Sequence, residues 1–345
     1  MDQSNVDVDV SSGRAAGGVV VVPARRRWRV SRTFAWVAVA PFALWAVARV
    51  AGLERGSLPT QFMTGTPYVA AGSLVPLLVG ALARSRTATA VALVTAVALG
   101  SSVIPRAVGS TGAAETGTGT PLRVLTANLL FGGADASAVV DLVRRLRPDV
   151  LSTQELTPEM VEKLDAAGIA ELLPHRVLQA DPGATGSGLY SRHPLTPRAG
   201  LFRVIGHNMP AALVTPPGAA PVEIVDVHTY APIGELVAGW ESGIEALPPP
   251  SPGTLRILAG DFNASLDHAV MRGLLDRGYV DAADQVGQGL VATWPSGRRI
   301  PPIITIDHVL VDRRVLVNEV GIHTLPGTDH RAVFADLRLP ARLSR

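Results

Sequence analysis

LRVLTANLLFGG (122–133) is the first of six hydrophobic runs in this chain that end in polar side chains. Runs of this kind, rich in Leu, Val and Ile, are typical of strands in a buried sheet. Buried strands rarely end in so many polar groups unless those groups converge on something charged. The other runs are PDVLSTQEL (148–156), GSGLYSRHPL (186–195), VDVHTYAP (225–232), ILAGDFNAS (257–265) and the closing pair IDHVLVD (306–312) and GTDHRAVFADL (327–337).

Helical patterns alternate with these predicted strands. DASAVVDLVRRLRP (135–148) opens with an Asp that can cap a helix, and TPEMVEKLDAAG (157–168) opens with Thr157 and Pro158. The proline-rich ALPPPSPG (246–253) predicts a surface loop before the next buried strand. Strands mixed with helices predict an α/β (α+β) sandwich.

The order and wording of the six runs resemble the endonuclease/exonuclease/phosphatase superfamily, the DNase I-like proteins, over about residues 121 to 340. The resemblance implies a four-layer α/β/β/α sandwich and a metal-dependent phosphoesterase in a catalytic domain of residues 121–345. Walker A, GxSxG, HExxH and Cys/His zinc motifs are absent from the sequence.

The resemblance also implies a metal site. Glu155, in the QE motif, matches the principal ligand, Asn128 matches a residue that assists the metal or the phosphate, and Asp329 matches a supporting acid. Carboxylate and amide oxygens suit Mg²⁺, with Mn²⁺ as an alternative. Taken singly, Asn128 reads equally well as a turn cap and Glu155 as a surface acid.

Five further residues match catalytic positions of the superfamily: His228, Asp261, Asn263, Asp307 and His330. By resemblance, Asp261 orients or deprotonates the attacking water and Asn263 holds a phosphate oxygen. We expect Asp261 and Asn263, two apart on an extended segment, to face the same side, and an ordinary Asx turn is the alternative. We expect His228 and His330 to donate to phosphate oxygens, with Asp307 fixing the tautomer of His330 and raising its pKa.

The remaining histidines match no catalytic motif. We expect His193, His207, His268 and His323 to be structural, and His308 to lie in the core or at the rim of the site. Tyr190 or Arg192 of the GLYSRHPL run is a weaker candidate for contact with substrate.

The first third of the chain predicts membrane segments. Three apolar runs, at about 33–49, 67–83 and 87–105, have the length needed to cross a bilayer. Three buried helices of a soluble domain, or a signal peptide cleaved after the first run, are alternatives. Residues 1–32 read as a disordered basic cytoplasmic tail and the Gly/Thr/Ala-rich residues 106–120 as a flexible linker.

The arginines set the expected orientation. Five lie between residues 25 and 32, and Arg84 and Arg86 lie between the second and third runs, whereas the loop after the first run has Arg55 beside Glu54. Basic flanks belong on the cytoplasmic side. Three spans then place the N-terminus in the cytoplasm and the catalytic domain outside it, in a multi-pass protein of the cell membrane.

The charge of the predicted catalytic domain helps to choose between lipid and DNA as the substrate. Residues 1–120 carry 11 arginines and 5 acidic residues, whereas residues 121–345 carry 20 basic and 24 acidic residues. A domain that grips duplex DNA usually shows a basic footprint, so nucleic acid is only the second choice. The absence of cysteine excludes a disulfide framework and a thiolate site.

The overall layout resembles actinobacterial membrane proteins of the VanJ glycopeptide-resistance type. A site held near the outer leaflet favours a cell-envelope phospholipid or lipid-linked phosphate as the substrate of this hydrolase. The alternatives are an exported endonuclease or exonuclease that cleaves DNA, and an inactive module that recognises phosphorylated envelope components.

Overall fold

The structure is a computed structural model that describes residues 31–110, 119–297 and 299–340. Its N-terminal part is helical throughout. The helices there are α1 (Arg32–Ala51), α2 (Ser57–Met63), α3 (Thr66–Gly72), α4 (Leu74–Leu82) and α5 (Arg86–Val108). The predicted tail and most of the predicted linker lie outside the described residues.

Two helices, α1 and α5, are long and apolar enough to cross a membrane. The second predicted span, 67–83, corresponds to the stretch Thr66–Leu82, which contains α3 and α4, and α2 lies before it. α2 and the stretch Thr66–Leu82 meet at an angle of 63°, so they count as a third candidate only if the bent pair forms one span. Gly65 and Pro67 lie at the bend, and a proline in the first turn starts a new helix rather than continuing the old one.

Helix α5 runs two residues past the expected start of the linker and ends at Val108. Arg106 is only 6% exposed, and both of its terminal nitrogens contact the carboxylate of Asp267 at 2.9 Å. Arg49 of α1 contacts the same carboxylate through Nε at 2.7 Å. The C-terminal ends of α1 and α5 are therefore bound directly to the domain that follows, and residues 106–108 are not part of a tether.

Two six-stranded mixed sheets form the rest of the protein. The strands are β1 (Thr120–Asn128), β2 (Val150–Gln154), β3 (His175–Gln179), β4 (Ser187–Ser191), β5 (Leu195–Pro197), β6 (Ala211–Val214), β7 (Val222–His228), β8 (Leu255–Asp261), β9 (Tyr279–Asp281), β10 (Asp307–Asp312), β11 (Leu316–Thr324) and β12 (Arg331–Leu339). The first sheet has the order β11-β12-β1-β2-β4-β3 and the second β5-β6-β7-β8-β10-β9.

Helices cover the outer faces of both sheets, which confirms an α/β fold of two mixed sheets. Helices α6 (Ala136–Leu146), α7 (Pro158–Ala166) and α8 (Ile169–Leu172) pack on the first sheet. Helices α9 (Val237–Ala246) and α10 (Ala269–Asp276) pack on the second, and a short helix α11 (Ala282–Gln285) follows β9. Both predicted caps are present, since Asp135 accepts from Ala138 N and Thr157 from Met160 N.

The interior between the sheets changes from apolar to polar along the strands. Val124 and Val150 lie in the apolar part, whereas the residues nearer the ends of β1, β2 and β7 form a buried polar network. In that network Gln154 Nε2 donates to Asp226 Oδ1 at 2.6 Å, and Gly188 N donates to Asp226 Oδ2 at 2.9 Å. The polar end of the interior is the end at which the predicted site residues lie.

Asp226→Asn tests this network. Burial raises the pKa of Asp226 from its ordinary value near 3.8 to about 8, against the lowering effect of the hydrogen bond from Gln154. Between these values the folded state holds a proton that the unfolded state has lost, so the free energy of unfolding falls as the pH rises. Asn does not titrate, so the pH profile of the variant should be flatter between pH 4 and 8. Thermal unfolding of both proteins across this range measures the difference, and parallel profiles would contradict the burial of a protonated Asp226.

Candidate active site

Strand register places three of the predicted residues side by side. In the parallel pair β7 and β8, His228 lies opposite Asp261, and in the antiparallel pair β8 and β10, Asp307 also lies opposite Asp261. Paired residues project to the same face of a sheet. Three neighbouring strands thus present His228, Asp261 and Asp307 in one row.

The first sheet supplies the opposite wall. Asn128 ends β1, and Glu155 follows β2 directly. The Asn128 amide nitrogen donates to Glu155 Oε1 and to Asp261 Oδ2, each at 3.0 Å, while its oxygen accepts from Leu130 N at 2.9 Å. In this orientation the amide nitrogen of Asn128 donates to both carboxylates and holds them in place. For its oxygen to bind a metal, the amide would have to turn.

Glu155 is held in an unusual backbone conformation. Its φ is +57°, in the left-handed region that costs a non-glycine residue free energy. Its Oε2 accepts from Phe131 N at 2.7 Å, and Leu130 and Phe131 are themselves left-handed, with φ of +47° and +52°. The strained turn after β1 therefore orients the carboxylate that the sequence predicts as the principal ligand.

His330 and Asp307 form the expected pair. Both oxygens of Asp307 lie 3.0 Å from His330 Nδ1, which leaves Nε2 facing the site, 3.7 Å from Asp261 Oδ2. Burial by itself lowers the pKa of His330, but the charges of Asp307 and Asp261 and the hydrogen bond to Asp307 outweigh it and raise the pKa to about 10. His330 is thus an imidazolium at neutral pH.

Asp329 lies at the edge of the same cluster. Trp294 Nε1 donates to its Oδ2 at 3.3 Å, and its Oδ1 lies 3.9 Å from His330 Nε2. Its negative charge also acts on Glu155. The structure therefore brings Asp329 to the site, beside the imidazolium of His330.

Asn263 differs from the expectation in its backbone. Strand β8 ends at Asp261, and Asn263 has a φ of +48°, so the chain turns there and does not continue as an extended segment. Its backbone N donates to Asp261 Oδ1 at 2.8 Å and its side-chain nitrogen donates to the Thr229 carbonyl at 3.0 Å. Asn263 supports Asp261 and the loop after β7, and the argument from strand alternation was wrong.

His207, expected to be structural, lies against a catalytic candidate. Its ring stacks on His228 with centroids 4.3 Å apart, and Tyr230 meets it edge-on. Burial, followed by the positive charges of His207 and His330, holds the pKa of His228 well below its usual value. His228 is therefore a neutral imidazole. The sequence around His207 matches no motif, so only the folded loop reveals this contact.

The other histidines lie away from the site. His308 is 4% exposed and joins Asp281 to the Ala264 carbonyl, each at 2.8 Å, so it belongs to the core. His193 contacts Asp149, and His268 contacts the Thr60 carbonyl of α2 at 2.8 Å.

Tyr190 packs beneath the helices of the first sheet. Tyr190 lies opposite Leu151, near the strand end remote from Glu155, so contact of this residue with substrate was a wrong expectation.

The site gathers four buried carboxylates. Glu155, Asp261, Asp307 and Asp329 are all at most 8% exposed, and the ring nitrogens of His330 lie 3.0 Å from Asp307, 3.7 Å from Asp261 and 3.9 Å from Asp329. Burial raises the pKa of Glu155, although hydrogen bonds from Asn128 and Phe131 oppose the shift. Burial likewise raises the pKa of Asp261 to about 7, although the charge of His330 lowers it. Raised pKa values of clustered buried carboxylates are typical of a site that takes a cation.

These side chains fit a hard divalent cation. Ligand atoms of Asp261, Asp307 and His330 lie within 4.8 Å of one another. His330 and Asp307 are hydrogen-bonded to each other. Glu155 is not part of this pair, so a cation bound by Glu155 would leave the pair intact. Carboxylate oxygens at this end of the sandwich are the donors that Mg²⁺ and Mn²⁺ prefer.

Titration of the histidines checks the charge assignment. In metal-free protein, NMR of labelled histidine should show His330 protonated at pH 8 and His228 neutral at pH 6. Asp307→Asn removes the main charge that raises the pKa of His330, so His330 should then titrate at a lower pH. An unchanged titration of His330 in the variant would contradict the pairing.

Comparison with known proteins points to one family. The sequence model of the Endonuclease/Exonuclease/phosphatase family matches residues 125–330. No curated protein is significantly similar to the chain.

Several solved structures are similar to this chain. An endonuclease/exonuclease/phosphatase from Beutenbergia cavernae DSM 12333 is 19% identical, with a TM-score of 0.50 over 65% of this chain and 73% of that one. A functionally unknown conserved protein from Enterococcus faecalis V583 is 16% identical, with a TM-score of 0.50 over 64% and 100%. A humanized D. rerio TDP2 is 17% identical, with a TM-score of 0.49 over 63% and 99%.

The family match spans more than half of the chain and includes Glu155, His228, Asp261, Asp307 and His330. The chain belongs to the Endonuclease/Exonuclease/phosphatase family.

Proposed function

We propose that this protein is a membrane-anchored, divalent-metal-dependent phosphoesterase that acts outside the cytoplasm on a phospholipid or lipid-linked phosphate of the cell envelope. The observation that carries the proposal is the meeting of Glu155, Asp261 and the His330–Asp307 pair at one end of the sandwich. Membership of the family supports hydrolysis of phosphate esters.

The residues of the chain divide the chemistry among them. Asp261, with a pKa raised to about 7, can accept a proton from an attacking water near neutral pH. His330 carries a positive charge on the same side, 3.7 Å from Asp261, and stabilises negative charge that develops on the phosphoryl group. His228 is neutral, so it can donate a hydrogen bond but is a poor proton source.

Glu155 would hold the cation, with Asp329 nearby. When bound there, Mg²⁺ or Mn²⁺ would polarise a phosphoryl oxygen as a Lewis acid. Asn128 holds the carboxylates of Glu155 and Asp261 next to each other, because its amide nitrogen donates a hydrogen bond to each. Asn263 holds the turn after β8 and with it the position of Asp261.

The membrane assignment supports the choice of substrate. Helices α1 and α5 are candidate spans, and arginines precede α1 and flank the turn before α5. That distribution favours a cytoplasmic N-terminus and an extracytoplasmic catalytic domain, a layout like that of VanJ-type proteins. The acidic catalytic domain favours a lipid phosphate over duplex DNA.

Loss of the imidazolium should abolish most of the activity. We expect His330→Ala to lower kcat by about 10²–10⁴-fold, because it removes charge stabilisation of the transition state. Asp307→Asn should act in the same direction. His193→Ala is a matched control, since His193 contacts Asp149 away from the site and should leave kcat unchanged. A His330→Ala protein that folds and retains full turnover would disprove the role.

A substrate panel tests the proposed class. Purified full-length protein in nanodiscs, with Mg²⁺ or with a chelator, is assayed on phospholipids, polyprenyl pyrophosphate and plasmid DNA. We expect metal-dependent release of phosphate or head group from a lipid at the highest rate, and loss of this activity in Glu155→Gln. Faster cleavage of DNA would identify a nuclease, and inactivity on every ester with either metal would identify a binding module.

A further inference from the structure

The membrane helices attach to the catalytic domain at the end that carries the active site. Asp267, which binds Arg49 and Arg106, lies six residues after Asp261, in the loop that leaves β8. Arg272 donates to the Arg49 carbonyl, and the backbone N of Ala269 donates to Glu54. The same loop that shapes the site thus binds the ends of α1 and α5.

This attachment is buried and charged. Arg49, Arg106 and Asp267 are at most 7% exposed. Two guanidinium groups that share one buried carboxylate constrain orientation, because a shift of either helix would leave a charge without its partner. The domain therefore has one orientation relative to α1 and α5.

Helices α2 and α3 contact two more loops of that end. Ser57 donates to the Pro232 carbonyl at 3.3 Å and accepts from Gly234 N at 3.0 Å, in the loop that follows His228. Tyr68 of α3 donates to the Ile303 carbonyl at 2.7 Å, in the loop that precedes Asp307. Ile303 N in turn donates to the carbonyl of Trp294, whose ring contacts Asp329.

Both loops expose large apolar side chains next to these contacts. Ile233 is 59% exposed and Ile303 is 41% exposed. We call the following set the apolar rim: Leu58 and Phe62 of α2, Ile233 and Leu236 of the first loop, and Ile300 and Ile303 of the second. Exposed apolar side chains that adjoin membrane-spanning helices are typical of residues immersed in the interface of a bilayer.

We propose that the apolar rim lies in the leaflet that receives the ends of α1 and α5, so that the active site opens at the lipid surface. The substrate class that fits is an amphiphile whose phosphate lies at the level of the head groups while its apolar chain stays in the bilayer. This inference rests on the proposed membrane anchoring and hydrolysis. The occupant is lipid rather than a protein, because the rim is continuous with candidate spans.

Site-specific quenching tests the position of the rim independently of activity. The chain contains no cysteine, so Ile233→Cys, Ile303→Cys and Leu316→Cys each accept a single environment-sensitive fluorophore. Leu316 is 42% exposed and lies opposite Arg338, at the sheet end remote from Arg331 and the site, which makes it a matched control.

In nanodiscs that contain spin-labelled phospholipids, we expect strong quenching at positions 233 and 303 and weak quenching at position 316. Equal quenching at all three positions, or none at 233 and 303, would overturn the proposal. A blue-shifted but unquenched fluorophore at 233 would indicate a protein partner and would also overturn it.

Activity gives a second readout. In Ile233→Ser/Ile303→Ser, hydrolysis of a bilayer phospholipid should fall by about tenfold or more, whereas that of the water-soluble bis(p-nitrophenyl) phosphate should not change. Unchanged lipid hydrolysis, or an equal loss on both substrates, would contradict a role in lipid contact. If the protein is not a phosphoesterase, the unsubstituted protein will be inactive on both substrates. Strong quenching at positions 233 and 303 and weak quenching at position 316 would still show that the rim lies in the lipid.

Discussion

Four carboxylates buried at one end of a sandwich, around one imidazolium, are the constraint on which the site depends. Glu155, Asp261, Asp307 and Asp329 repel one another, and burial raises the pKa of two of them. The protein holds them together with donors: the amide of Asn128, the backbone N of Phe131 and the protonated ring of His330. A divalent cation bound by Glu155 would further reduce the repulsion among these carboxylates.

The fold makes this cluster possible by register. Parallel pairing of β1 with β2 and of β7 with β8 brings the carboxyl ends of two strands in each sheet to the same end of the sandwich. Apolar packing between the sheets ends before this point, where Gln154 and Asp226 begin a polar interior. The strained turn after β1 then directs Phe131 N to Glu155. Rigid strands therefore set the positions, and short turns set the final directions of the side chains.

The N-terminal helices contact the same end of the molecule. His228, Asp261 and Asp307 lie at the ends of β7, β8 and β10, and the loop next to each of them contacts a helix of the N-terminal region. A flexible tether would leave the orientation of the domain open. The shared carboxylate of Asp267 and the contacts of Ser57 and Tyr68 hold it instead in one orientation, with the site on the side of the helices.

Sequence pattern predicted seven of the strands (β1, β2, β4, β7, β8, β10 and β12), their polar ends and the caps Asp135 and Thr157, because these depend on local periodicity. The pairing of Asp307 with His330 followed from the resemblance to the superfamily. The stacking of His207 on His228 had no clear local signal. The contact of Arg49 with Asp267 joins residues 218 positions apart, and α5 extends through part of the predicted linker. Only tertiary structure decides such contacts, since a side chain's partner depends on which distant segments pack beside it.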